Sequence, residues 1–409
     1  MTVTIEDIRK AARVIDGAVV RTPTLPARRL GELTGTEVVL KLESRQATGS
    51  FKDRGALNKM LSLSEQERAA GVIAVSAGNH AQGVARHAGR LGIPAVIVMP
   101  KGTPFTKTDA TRRLGARVVL HGADLSEAAD HAEALVREHG YSFIPPYDDP
   151  AIIAGQGTVA LEMLDAAPGL ECLVVPIGGG GLIAGCAIAA KAIMPAIEIW
   201  GVEAALYPSM FQAINGLQPT AGGHSIAEGI AVKRPGRLTR PIIEKLVEDI
   251  LLVTEEVLER AVLVMAESEK LIAEGAGAAG LAALLAYPER FTGRKVGLVV
   301  SGGNIDSRVL ASILMRGLAR DGRLARLRIE ISDEPGLLAR VAGLIGQAGG
   351  NIIEVYHQRL HYDLPVTMAD LDIVVETRNR EHVAEILASL TAAGFEARLL
   401  SSTATSSEG

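Results

Sequence analysis

Aromatic residues make up only 3% of this 409-residue chain, so any buried core has to be built from Ala, Val, Leu and Ile. Cysteine is nearly absent. Cys172 and Cys186 stand at no metal-like spacing and make no disulfide framework, which fits a reducing compartment. Both read as small buried residues. Positive charge is not in excess: the formal net charge is −5 and the isoelectric point about 6.0. That argues against nucleic acid as a partner. No run approaches the ~18 consecutive apolar residues of a membrane helix. The opening MTVTIEDIRK has neither the basic start nor the apolar stretch of a signal peptide. The expected location is therefore the cytoplasm. His-Glu-x-x-His, Cys/His clusters and Gly-x-Ser-x-Gly are missing too, which argues against zinc and serine-hydrolase chemistry.

What is present is ordinary globular composition, 48% hydrophobic and 22% charged, in a chain long enough for two or three domains. Short β-branched runs recur through the first 320 residues: 72–76 (VIAVS), 95–99 (AVIVM), 117–120 (RVVL), 173–176 (LVVP), 197–202 (IEIWGV) and 296–301 (VGLVVS). Runs that are apolar throughout suit a parallel sheet covered on both faces. Between them lie helical stripes, such as Ala81, Val84, Ala85, Ala88 and Leu91. This alternation predicts an α/β domain whose ligands bind at the carboxyl ends of its strands. After about residue 322 the pattern changes. Strands are expected at 325–331, 352–360, 367–376 and 396–400, with helices at 334–348 and 380–393. That β-α-β-β-α-β order is ferredoxin-like. The tail 402–409 has no apolar pattern and reads as disordered.

Five segments carry chemistry. Lys52, in GSFKDRGA, becomes a nucleophile toward aldehydes if desolvation lowers its pKa, although a lone lysine is more often a solvated charge. The loop Ser76, Ala77, Gly78, Asn79, His80 joins a strand to a helix, where backbone N–H groups can seat an anion; Asn79 as a plain helix cap is an equal reading. Gly178, Gly179, Gly180, Gly181 and Leu182 also open a helix, and four glycines let the backbone approach a phosphate. The Lys-Ser/Thr of a nucleotide loop and the GxGxxG spacing are both missing there. Ser301 ends an apolar strand and can meet a heteroaromatic nitrogen, though a strand-ending turn explains it alone. Glu274 precedes a small-residue helix.

Four motifs in order, S-F-K-x-R-G, S-A-G-N-H-A-Q-G, G-G-G-G-L and S-G-G-N, resemble those of the serine/threonine dehydratases, fold-type II pyridoxal-phosphate enzymes related to the tryptophan synthase β fold. The resemblance covers about residues 5 to 320. From about 325 the chain resembles an ACT regulatory domain, best matched at DEPGLL (333–338). The resemblance implies a two-lobed catalytic domain over 1–320, with a small lobe at about 45–147, and an ACT domain over 325–401. It implies pyridoxal 5'-phosphate joined to Lys52, which later serves as the base on the substrate Cα. Phe51 would pack on the cofactor ring, and Asn79 would bond its hydroxyl. Residues 178–182 would cradle its phosphate, with Glu274 also at the cofactor site, and Ser301 would face its nitrogen. Loop 76–80 would hold the substrate carboxylate. The implied reaction is an ammonia-lyase acting on L-threonine, to give 2-oxobutanoate and ammonia, and on L-serine. The alternative is serine racemisation, or another β-elimination or β-replacement on the same fold. Racemases of this family carry a second serine where this chain has Ala77. Some relatives hold a cation through Glu-x5-Asp; here Glu203 is followed by Ser209, which counts against a structural metal. A branched-chain amino acid as effector of the ACT domain, and a homodimer or homotetramer, complete the expectations. A dinucleotide-dependent oxidoreductase fails on the glycine pattern and gives Lys52 no task. A mere binding module would not need Lys52, Asn79 and Ser301 intact.

Overall fold

A computed structural model describes residues 3–358 and 367–400. The expected disordered tail, and the last residues of the strand expected at 352–360, lie outside the described residues. The chain divides into two compact units between Asp306 and Ser307.

The first unit holds two sheets. The smaller is fully parallel, in the order Arg117–Leu120, Ala95–Met99, Val72–Val75, Ser142–Phe143. The larger runs Thr24–Pro26, Glu37–Leu42, Lys295–Val300, Cys172–Pro176, Glu198–Ala204, Asp249–Val253. Only its first pair is antiparallel. The central strands are buried along their whole length, as all-apolar runs in helix-covered parallel sheets require. Each sheet packs its own cluster of aliphatic side chains, one around Val84, Ile97 and Met99 and one around Val175, Ile183 and Ile199. Both cysteines are buried, and burial holds their thiols up at about 12, so they are inert filler.

The helix Asn79–Leu91 buries Ala81, Val84, Ala85 and Ala88 as the stripe predicts. Leu91, in its last turn, is exposed instead. Helix Lys52–Leu61 packs on helix Pro150–Ala166 almost backbone to backbone, because a side chain on Gly155 would come within 2.7 Å of the Gly55 Cα. Helix Gly181–Ile193 packs on the other side of Pro150–Ala166 in the same way: a Cβ on Gly185 would lie 2.6 Å from the Gly157 amide. These approaches set the spacing between the segments bearing Lys52 and the glycine run.

The second unit is one antiparallel sheet, ordered Asn351–Gln358, Met368–Glu376, Leu324–Ser332, Glu396–Leu399. Leu327, Ile329, Leu371 and Ile373 form its core together with Val341, Ile345 and Ile386 from the helices Leu337–Gln347 and Arg380–Ala392. The β-α-β-β-α-β order is the one expected. The first helix of that order begins at Leu337, since Gly336 takes a left-handed φ of 93° and serves as its cap. Among the described residues, no helix is long and apolar enough to cross a membrane.

Candidate functional site

Lys52 opens its helix, and three other segments meet it or its immediate neighbours. Phe51 N donates to Ser301 O at 3.1 Å, and Ser50 bridges to Gly302. The SFK segment is thereby stitched to the end of strand Lys295–Val300. On the opposite side, a Cβ on Gly83 would sit 3.2 Å from Lys52 O, so helix Asn79–Leu91 lies directly against it. The Lys52 amine donates to Pro146 O at 2.6 Å and lies 5.0 Å from the centre of the Phe51 ring. Phe51 is half-buried and packs on the core of the larger sheet. Burial pushes the Lys52 ammonium down to about 8, against the pull of the Glu274 carboxylate. An amine so placed is far more nucleophilic at neutral pH than a solvated lysine.

Asn79 does not cap its helix. Gly78 occupies the cap position with no side-chain bond, which frees the Asn79 amide to point elsewhere. Its Nδ2 donates to Glu274 Oε1 at 2.7 Å, and its Oδ1 accepts from Asn304 Nδ2 at 2.8 Å. Asn304 also donates to Thr48 O. Burial pushes the Glu274 carboxyl up to about 7, opposed by its bond to Asn79. Ser76 Oγ accepts from Gly78 N, fixing the turn that contains Ala77. His80 is buried, and its Nε2 lies 2.8 Å from Ile144 O. A carbonyl can only accept, so this nitrogen carries the proton. Burial, and then the nearby Lys52 charge, push His80 down to about 3, which keeps it neutral.

Gly180 caps helix Gly181–Ile193 with a φ of 92°, a conformation that favours glycine. Gly179, Gly180, Gly181 and Leu182 are buried and Gly178 half-buried. The helix start leaves backbone N–H groups without helical partners, an anion seat by construction. Ser301 is 3% exposed. A phosphate-bearing aldehyde fits this donor set: a desolvated amine, a glycine run at a helix N-terminus, an amide and a serine at a strand end.

Glu203 is taken up by the backbone. Both its oxygens accept from backbone amides, Met210 N and Phe211 N at 2.9 Å each, and burial pushes it up to about 7. Among the described residues, no group of three His, Cys, Asp or Glu side chains could hold a metal.

Sequence reasoning missed two features. One is Tyr147, whose ring lies on Gly179. The other is a buried ionic quartet behind Lys52. Arg54 is bidentate to Glu43 (2.8 and 2.8 Å) and to Glu162 (2.6 and 2.8 Å), and Lys41 also donates to Glu162 at 2.6 Å. The only sequence signal was Arg54 itself, inside the SFKDRG motif.

The comparisons agree with the geometry. The family described as pyridoxal-phosphate dependent enzyme matches residues 15–302, and the ACT domain matches 325–392. An L-threonine ammonia-lyase of Thermotoga maritima is 42% identical over 400 residues, covering 97% of this chain and 100% of that one. The crystal structure of the T.th. threonine deaminase matches with a TM-score of 0.71 at 40% identity, over 74% of this chain and 99% of that one. The serine racemase of Dictyostelium discoideum matches with a TM-score of 0.70 at 34% identity, over 75% of this chain and 100% of that one. With family span, identity and fold in agreement, this chain belongs to the pyridoxal-phosphate dependent enzymes, its catalytic fold followed by an ACT domain.

Proposed function

We propose that the chain is an L-threonine ammonia-lyase, converting L-threonine to 2-oxobutanoate and ammonia and acting also on L-serine. The observation that carries this reading is the Lys52 amine, held down to about 8 in a segment stitched to Ser301 and packed against the Asn79 helix. When bound, pyridoxal phosphate supplies an electron sink for charge developing at the substrate Cα. Lys52 would hold it covalently. Residues 178–182 would hold its phosphate through backbone N–H groups, Asn79 its ring hydroxyl and Ser301 its nitrogen, with Phe51 against its ring and Glu274 steadying Asn79. A serine hydroxyl cannot keep a pyridine nitrogen firmly protonated as a carboxylate would. Charge at Cα is then less spread, and prompt loss of the β-hydroxyl is favoured over reprotonation. The amide groups of loop 76–80 receive the substrate carboxylate at the start of their helix. Lys52 Nζ, once neutral, takes the Cα proton. One water is lost with the β-hydroxyl and one is consumed in releasing ammonia, so the reaction balances as threonine to 2-oxobutanoate plus ammonia.

Racemisation needs a proton donor on the face opposite the lysine. Ala77, at the position where racemases of this family carry a serine, has none. The deciding experiment is an absorbance spectrum of purified protein before and after L-threonine, with 2-oxobutanoate assayed in the same tube. A visible band and oxoacid release are expected. A band without oxoacid would move the reading to another substrate or to β-replacement, and no band after adding the cofactor would end it.

We take residues 1–320 as the catalytic domain, with the small lobe at about 45–147, and 325–401 as the ACT domain. The protein would work in the cytoplasm as a homodimer or homotetramer, with threonine deamination feeding isoleucine synthesis. On that reading a branched-chain amino acid, isoleucine first, binds the ACT domain and shifts the threonine saturation curve. Calorimetry is expected to register isoleucine binding, and silence toward both isoleucine and valine would remove the allosteric reading.

A further inference from the structure

Gly179 has its Cα face covered and its carbonyl pinned. A Cβ there would overlap the Tyr147 ring at its Cγ, Cδ1 and Cδ2. Its carbonyl accepts from Thr239 Oγ1 at 2.7 Å and from Gly236 N at 3.2 Å. Among the described residues there are no cis peptide bonds, so a pinned carbonyl turns the N–H of Gly180 the opposite way. Tyr147 is itself held: its hydroxyl donates to Arg234 O at 3.0 Å, and the next residue, Asp148, accepts from the amides of Arg237 and Leu238. The residue before it, Pro146, receives the Lys52 amine. A single dipeptide therefore touches both the amine and the glycine run.

We propose that Tyr147 is a positioning residue for the phosphate end of the cofactor: its ring braces Gly179 and so holds the N–H groups of loop 178–181 in a receptive arrangement. The proposal rests on the reading of that loop as the phosphate seat. Because the ring acts on the loop and not on the reacting carbon, its removal should be felt by a phosphorylated ligand and not by one without phosphate. Steric fit gives a second signature. The three atoms nearest to a methyl at 179 all belong to that ring, and Gly179 has no positive φ to strain an alanine.

The test is titration of the cofactor-free full chain with pyridoxal phosphate and, separately, with pyridoxal. Tyr147→Ala and Gly179→Ala are each expected to weaken pyridoxal phosphate about tenfold or more, while pyridoxal stays within about twofold. The double variant Y147A/G179A is expected to bind no more weakly than Y147A alone, since the two changes share one contact. Tyr147→Phe keeps the ring and should stay within about threefold of the parent. If Y147A fails to fold, Tyr147→Leu keeps the bulk without the flat face and should show the same selective loss. Equal loss for both ligands, or additive losses in the double variant, would overturn the proposal. Failure of the unmodified protein to take up pyridoxal phosphate would instead fell the functional reading, and this one with it.

Discussion

Lys52→Ala is expected to abolish the visible cofactor band and to lower 2-oxobutanoate formation by about 10³-fold or more, because it deletes the covalent anchor and the Cα base together. Lys52→Arg should fail equally, although it keeps the charge: a guanidinium does not deprotonate in proteins and cannot serve as either. Folding should survive both changes. The one side-chain hydrogen bond of Lys52 goes to Pro146 O, and the buried ion pairs of the catalytic unit do not include it. The depressed pKa adds a kinetic signature in the unsubstituted protein. Only the neutral amine attacks an aldehyde, so the rate of pyridoxal phosphate capture should rise with pH and level off just above about 8, well short of the ~10.4 of a free lysine. Capture that keeps climbing past pH 10 would show that the amine is not desolvated. Oxoacid formation persisting in Lys52→Ala would remove Lys52 from the chemistry.

The parts of this site legible in the sequence are those whose meaning is local. A glycine run after an apolar strand, or a Ser-Phe-Lys before a helical stripe, announces itself within ten residues. Three of the four strands of the smaller sheet were legible for the same reason; Ser142–Phe143, only two residues long, was not. Asn79 marks the limit. Sequence alone left it divided between cap and ligand, and the division is resolved by Gly78 taking the cap and by Glu274, 195 residues away, receiving its amide. Tyr147 was invisible because its role depends on what Gly179 lacks. Glu37–Leu42 and Asp249–Val253 add strands to the larger sheet that the apolar runs first picked out did not include. The alternation of charge and aliphatic residues in EVVLKL hides a strand whose lysine is buried with a partner. That partner, Glu162, lies 121 residues along the chain, and pairing at that range leaves no periodic trace.

That same quartet sets the second large expectation: Arg54→Met should destabilise the catalytic unit by about 3–5 kcal/mol, the cost of leaving a buried charge without its partner. Arg54, Glu43 and Lys41 are all fully buried, and Arg54 is bidentate to both carboxylates. Without it, two carboxylates face one ammonium, and Glu43 keeps only Thr22 Oγ1 at 2.5 Å and Gln46 Nε2 at 3.2 Å. The sign of the pH dependence makes the prediction sharp. In the parent, burial opposes ionisation of Glu43, but the Arg54 charge and its hydrogen bonds outweigh burial and hold the carboxyl below its usual range. A depressed folded pKa contributes stability above the unfolded pKa and loses it as pH falls. In Arg54→Met, burial, the largest influence on Glu43, is opposed only by the Thr22 and Gln46 hydrogen bonds and the Lys41 charge, so the folded pKa should move above the unfolded one. Glu43 then contributes stability at low pH and loses it as pH rises, by at most about 1.4 kcal/mol per pH unit. Urea midpoints between pH 5 and 8 should therefore fall with pH in the variant relative to the parent. E43Q/R54M, which removes both charges and leaves Lys41 with Glu162, should recover much of the loss and flatten the difference. A variant slope that tracks the parent would mean that Glu43 stays ionised without Arg54, and that the quartet does not hold the helix bearing Lys52 through charge.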